Sequence, residues 1–284
     1  KLNYKKIITK IPKMSENLRG GNWNKAATAI TTTDTFPKGA SEVALIGNKK
    51  IQITGIAKGS GMIAPDMATM LSFIFTDANI PSNILQTLLS RNVQNTFNAI
   101  TVDSDASTSD TLLLFATGAA KSVVPTSADD PVLKDFELAL QSVMLNLAKQ
   151  IVCDGEGAQK LIQVDVTGAT SKKSAHKIGL AIANSPLVKT AIAGGDANWG
   201  RVVMAVGKSG EKANANSISV CFGKTTIAEK GAVVEGYDEA PVTEHLQGRE
   251  IHLAVDVGLG NGKSTVWTCD LTHGYIDINA DYRS

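Results

Sequence analysis

Cysteine is scarce, with three residues (Cys153, Cys221 and Cys269) in 284, and no CxxC pair joins any of them. So sparse and odd a count excludes a secreted disulfide scaffold and points to a reducing compartment. The thiols are expected to serve as small, half-buried hydrophobes. Aromatic residues make up only 5%, too few for a surface of base-stacking platforms. Neither sign of charge dominates, since 28 Lys and Arg face 27 Asp and Glu for a net +1. A nucleic-acid partner is therefore not expected. Long apolar runs are also missing: stretches such as 112–116 fall far short of the roughly 20 residues that cross a bilayer. No membrane partner is expected, and the opening KLNYKKIITKIPK lacks the apolar centre of a signal peptide. The four histidines (His176, His245, His252 and His273) show no i,i+4 pairing and no ligand-spaced Cys or carboxylate beside them. No zinc site and no other bound metal is expected. The first residue is not Met, which suggests a processed or truncated product.

What is present is a globular composition, 43% hydrophobic and 19% charged, with 25 glycines. A chain of this length can bury about 70% of its unfolded surface, enough for one large domain or two ordinary ones. Residues 14–30 read as a helix interrupted at Gly20–Gly21, followed by strands at 43–47 and 51–56 joined by a turn at 48–50. Helices are predicted at 81–97, 129–152, 172–183 and 198–206, with strands at 111–117, 161–167, 218–222, 250–257 and 263–269. The tail from Tyr275 reads as extended. Runs of strands with short turns, interspersed with long helices, favour an α+β, layered αββα architecture over a doubly wound parallel sheet.

Three motifs invite chemistry. Gly258–Ser264 (GLGNGKS) resembles the end of a phosphate-binding loop, but it is one residue short and runs into a strand pattern instead of a helix. Without a helix N-terminus the phosphate donors are absent, so a hairpin loop is expected; a nucleotide-binding protein is the rival reading. Asp103, Asp105 and Asp110 lack the Gly and Glu that a calcium loop requires at its sixth and twelfth positions. They read as a bonded turn before a strand, or as a network supporting an active site. No GxSxG elbow is present. The third motif, Lys58–Met70 (KGSGMIAPDMATM), crowds Gly59, Gly61 and Pro65 ahead of Ala68-Thr69 and a buried strand. A small residue before a Thr at a strained turn is what self-cleavage needs. The hydroxyl attacks the preceding carbonyl, an N-to-O acyl shift follows, and water frees an N-terminal Thr whose amine serves as its base. The plain alternative is a glycine-rich loop.

Several segments in one order separate these readings: TTTDTFPKGA (31–40), AKGSGMIAPDMATML (57–71), FNAITVDSDASTSDT (97–111), VCDGEGAQK (152–160), ANSPLVKTA (183–191), GDANWGR (195–201) and TVWTCDLTHGYIDINADYRS (265–284). Together they resemble the ornithine acetyltransferase family, the bifunctional glutamate N-acetyltransferases of arginine biosynthesis, over essentially the whole chain. The resemblance implies an αββα sandwich of the self-cleaving N-terminal-nucleophile type with a second, smaller α/β domain. Residues 1–160 would form the nucleophile-bearing domain and 161–284 the C-terminal one. Cleavage at Ala68–Thr69 would give an α remnant, 1–68, and a β chain starting at the nucleophile Thr69. Thr32, Lys58, Glu156, Asn279 and Ser284 match the family's substrate-binding residues. The implied reaction is ping-pong: Thr69 takes the acetyl group of N-acetylornithine and passes it to glutamate. No cofactor is implied, while acetyl-CoA is left open as a co-substrate.

Two departures, Thr31 in place of an apolar residue and Asp66 in place of Asn, alter none of the groups assigned. The family also carries over a hundred residues ahead of the position of Lys1, among them a Ser-Thr-Gly segment forming the oxyanion hole, whose loss typically costs about 10²–10³ in turnover. On that expectation these 284 residues are a fragment. The resemblance further implies an α2β2 assembly and a cytoplasmic enzyme, with an organelle as the alternative. The rival enzyme class is a self-cleaving amidase or aminopeptidase of similar architecture.

Overall fold

The computed structural model describes residues 3–18, 20–64 and 70–281. Three short helices come first: α1 (Tyr4–Ile8), α2 (Ile11–Glu16) and α3 (Trp23–Ala29). The first sheet then forms from β1 (Lys38–Ile46), β2 (Lys49–Lys58), β3 (Leu71–Thr76) and, after α4 (Ser82–Val93), β4 (Thr111–Ala116). Its order is β1-β2-β3-β4, antiparallel except for the β3–β4 pair, which is parallel because α4 carries the chain back between them. Alternate residues such as Ile51, Ile53 and Ile74 point to one face of this sheet and are fully buried. Against that face lies α5 (Lys134–Cys153), whose stripe of Phe136, Leu140, Val143 and Leu147 is fully buried. The opposite face carries Val43, Leu45, Leu113 and Phe115, all exposed, and Phe75, whose ring stacks on Phe115 at 4.9 Å and meets Trp23 of α3 at 5.6 Å.

The second sheet draws on β5 (Leu161–Ala169) and, after α6 (Lys172–Ala183), α7 (Pro186–Ala193) and α8 (Trp199–Gly207), on β6 (Ser219–Phe222), β7 (Thr225–Glu229) and β8 (Ala232–Val233). The remaining elements are α9 (Ala240–Gln247), β9 (Glu250–Asp256), β10 (Gly262–Cys269) and α10 (His273–Asp281). Strand order is β10-β5-β9-β6-β7-β8, and only β5–β9 is parallel. Helix α6 packs on β5 and β10, burying Ile178 and Ile182 on the side of Val164, Val166 and Val266. One hydrophobic cluster runs through both sheets. The α+β class is as the sequence indicates, with helices layered against two largely antiparallel sheets. Among the described residues no helix is long and apolar enough to cross a membrane.

Three expectations need correction. The 258–264 segment is not a hairpin loop: β9 and β10 lie on opposite sides of β5, so the chain crosses over the end of β5, where Leu259 and Gly260 N–H both donate to the Gly168 carbonyl. It runs straight into β10, so the phosphate-loop reading loses its helix. As far as Asp281 the tail is helical and not extended, since α10 starts at His273 and the Thr272 hydroxyl accepts the Gly274 N–H (3.2 Å). The cysteines are not uniformly half-buried: Cys153 is exposed, Cys221 intermediate and Cys269 buried, all three free. Burial pushes the Cys269 thiol up.

Candidate active site

Strand β2 ends at Lys58, and the loop that follows is held from both sides. Gly59 N–H donates to Asp34 Oδ1 (2.7 Å), and the Ser60 and Thr33 hydroxyls share a hydrogen bond of 2.7 Å. Met62 and Ile63 N–H donate to the two Asp103 oxygens (2.7 and 3.0 Å), while the Ile63 carbonyl accepts Val102 N–H (2.8 Å). Beyond the loop, Met70 N–H donates to Asp110 Oδ1 (2.8 Å). Burial pushes the Asp110 carboxyl up, against the pull of that N–H and of the Lys58 charge. The 101–110 segment is bonded both within itself and to this loop. Locally it is a bonded turn, with Asp105 N–H on Asp103 and Ser104 N–H on the Thr101 hydroxyl, and it also clamps the loop leading to Ala68-Thr69.

Two polar pairs stand on either side of this loop. Lys58, buried, donates from Nζ to Thr32 Oγ1 at 3.2 Å. Glu156 Oε2 accepts from Asn279 Nδ2 at 2.7 Å, and Asn279 also bonds the Tyr275 carbonyl one helical turn back (3.0 Å). The Glu156 N–H donates to the Ser60 carbonyl (3.2 Å), which ties the second pair to the loop. Two glycines approach their neighbours closely here. A Cβ on Gly61 would lie 2.7 Å from the Glu156 carboxyl, and one on Gly157 would lie 2.4 Å from the Tyr275 nitrogen at a φ of 72°. These close approaches seat α10, and with it Asn279, beside Glu156. Burial, with the negative charges of Asp103, Asp105 and Glu156, pushes the Tyr275 phenol up. Thr32, Lys58, Glu156 and Asn279 therefore come together; Ala68, Thr69 and Ser284 lie outside the described residues.

Sequence reasoning missed Asp34, Lys38 and Asp154, which form a buried charge cluster behind the loop. A signal existed: Asp34 and Lys38 share the TTTDTFPKGA segment with Thr32, and Asp154 shares VCDGEGAQK with Glu156. Burial pushes the Asp34 carboxyl up, but Gly59 N–H, the Lys38 ammonium and Thr32 N–H outweigh it and hold it below the ordinary carboxylate value. Among the described residues no group of three or more His, Cys, Asp or Glu could hold a metal ion.

Comparison with known proteins identifies the family. The ArgJ family model matches residues 1–284. The arginine biosynthesis bifunctional protein ArgJ of Gluconobacter oxydans is 58% identical over 284 residues, covering 100% of this chain and 67% of that protein. The protein of the same name from Bartonella quintana is 54% identical, covering 100% and 69%. The chain thus spans about two thirds of the length of these relatives. A crystal structure of the arginine biosynthesis bifunctional protein ArgJ from Bacillus halodurans matches with a TM-score of 0.70 at 42% identity, covering 72% of this chain and 96% of that one. Matched along its whole length and more than half identical to such relatives, the chain belongs to the ArgJ family.

Proposed function

We propose that this chain carries the catalytic Thr and most of the substrate-binding groups of an ornithine acetyltransferase, moving acetyl from N-acetylornithine to glutamate. The observation that carries the reading is the convergence of the Lys58–Thr32 and Glu156–Asn279 pairs on the one loop that leads to Thr69. The Thr69 hydroxyl attacks the Ala68 carbonyl, the acyl group shifts from nitrogen to oxygen, and water hydrolyses the ester to free the Thr69 amine. That amine takes the hydroxyl proton as Thr69 attacks the acetyl carbonyl, and the proton passes to the departing ornithine amine. The glutamate amine then attacks the acetyl-Thr ester, forming N-acetylglutamate and restoring the hydroxyl. Lys58 suits the substrate carboxylate and Glu156 the side-chain ammonium of ornithine, each as a charge-assisted hydrogen bond. The family resemblance adds Ser284 to the substrate-binding groups in this reading. Acetyl-CoA as a second acetyl donor, an α2β2 assembly and a cytoplasmic location belong to the same reading.

Two measurements test it in the full-length protein. Intact mass should show two chains with a new N-terminus at Thr69, and one uncleaved chain for Thr69→Ala; an identical pattern for both proteins would overturn self-cleavage. With N-acetylornithine alone, ornithine release should stop near one equivalent, and adding glutamate should restore turnover with stoichiometric N-acetylglutamate. Continuous free acetate without glutamate would assign a hydrolase instead.

A further inference from the structure

Behind the loop lies a cluster that neither substrate nor nucleophile needs to touch. Lys38 opens β1 and is fully buried; its Nζ sits 2.5 Å from Asp34 Oδ1 and 2.5 Å from Asp154 Oδ2. The three side chains are 0–1% exposed. Each carboxylate spends its remaining acceptors on backbone at the site. Asp34 takes Gly59 N–H through Oδ1 and Thr32 N–H through Oδ2 (3.1 Å). Asp154 takes Thr35 N–H through both oxygens (3.2 and 3.0 Å) and the Thr35 hydroxyl as well.

These bonds join three separate pieces of chain. Asp34 ties the Thr32 segment to the residue after Lys58. Asp154 caps the end of α5 and stands two residues before Glu156. Lys38 is the common donor between them. A buried ion cluster is weak evidence of stability, because apolar residues of similar volume often do as well once desolvation is counted. Strong directional bonds to backbone at two substrate-binding segments are better explained by geometry.

We propose that Lys38, Asp34 and Asp154 are positioning residues that set the spacing between the Lys58–Thr32 half of the site and the Glu156–Asn279 half. They thereby select a substrate whose carboxylate and ammonium are an ornithine's length apart. The inference rests on the function proposed above. Removing the Asp154 charge while keeping its shape leaves α5 and both sheets in place but frees one half of the site from the other.

The test uses Asp154→Asn, Lys38→Met and Lys38→Arg in the full-length protein, read by intact mass, thermal melting, ornithine binding by calorimetry and acetyl-transfer kinetics. The expected result for Asp154→Asn is a folded protein that still cleaves at Ala68–Thr69, with a lowered melting temperature. The amide sets a donor where both oxygens accept and leaves Lys38 one carboxylate short. The KM for N-acetylornithine and the Kd for ornithine should rise about tenfold, well inside the roughly 10²-fold that a 1 Å misplacement can cost, while kcat falls much less. Lys38→Arg, which keeps the charge, should recover most of the affinity lost in Lys38→Met. Unchanged KM and Kd, or loss of folding or cleavage in Asp154→Asn, would overturn the positioning role. Should the wild-type protein bind ornithine yet transfer no acetyl group, the function proposed above fails alone, and the ornithine Kd still decides the spacing role.

Discussion

Gly61 and Gly157 are both closed to a side chain, yet what each would strike differs in kind. At Gly61 the obstacle is the free end of Glu156, which can swing aside. Gly61→Ala should therefore leave the unfolding free energy, measured by denaturant titration, within about 0.5 kcal/mol of wild type. On the role proposed for it, a displaced Glu156 would lose a charge-assisted bond to substrate, worth about 1.5–3 kcal/mol, so the KM for N-acetylornithine should rise about tenfold or more in steady-state assays. At Gly157 the obstacle is backbone, the Tyr275 nitrogen and the Gly274 carbonyl carbon, and φ is positive. Gly157→Ala should cost about 1–3 kcal/mol in denaturant unfolding, because neither partner can yield. One glycine serves the chemistry and the other serves the fold.

Helices α5 and α10 show what sequence periodicity can and cannot carry. In α5 the spacing of Phe136, Leu140, Val143 and Leu147 predicts a buried stripe, and each is fully buried against the first sheet. Leu140→Ala should lower stability by about 2–5 kcal/mol in chemical denaturation. No residue of α10 is buried, so no apolar stripe announces it, and the alternation through Tyr275–Ile278 suggests a strand. Its start depends on the Thr272 hydroxyl and its seat on the Gly157–Gly274 contact, 117 positions apart in sequence, which no local window reveals. Helix α7 was readable and overlooked: Pro186 at its first turn follows Ser185, whose side chain accepts Val188 N–H. The 101–110 segment matters to function at this same scale. Asp103→Ala frees the Met62 and Ile63 N–H groups and should slow self-cleavage, measured as the rate of chain separation after synthesis, while leaving β3 and β4 paired.

Across the whole molecule, acid should act through carboxylates that the fold holds charged. On the second sheet, burial pushes the Asp165 carboxyl up, but bonds from Thr265 (2.5 Å), His252 (2.5 Å) and Gln163 (2.9 Å) bring it below its ordinary value. A carboxyl so lowered binds its proton less readily in the folded chain. Its contribution is full above the ordinary value of 3.8 and is lost as pH falls below that value through the folded pKa. Asp34 behaves alike, whereas Asp110, raised, favours the folded state as it protonates. Melting temperatures of wild type and Asp165→Asn should differ most above pH 4 and converge as pH falls below 3.8. A gap that stayed constant with pH would remove Asp165 from the account.

The sequence by itself determined the α+β class and most of the strands and helices, and through its family resemblance it nominated Thr32, Lys58, Glu156 and Asn279 as site residues. The elements are written in local periodicity, whereas the nominated residues rest on short segments shared with a family. Only the tertiary structure decided that β10 returns on the far side of β5, that α10 is a helix, and that Lys38 sits between Asp34 and Asp154. Each of these depends on which distant groups become neighbours when the core closes. A lysine at position 38 reads as an ordinary surface charge until two carboxylates, four and 116 residues away, are folded around it.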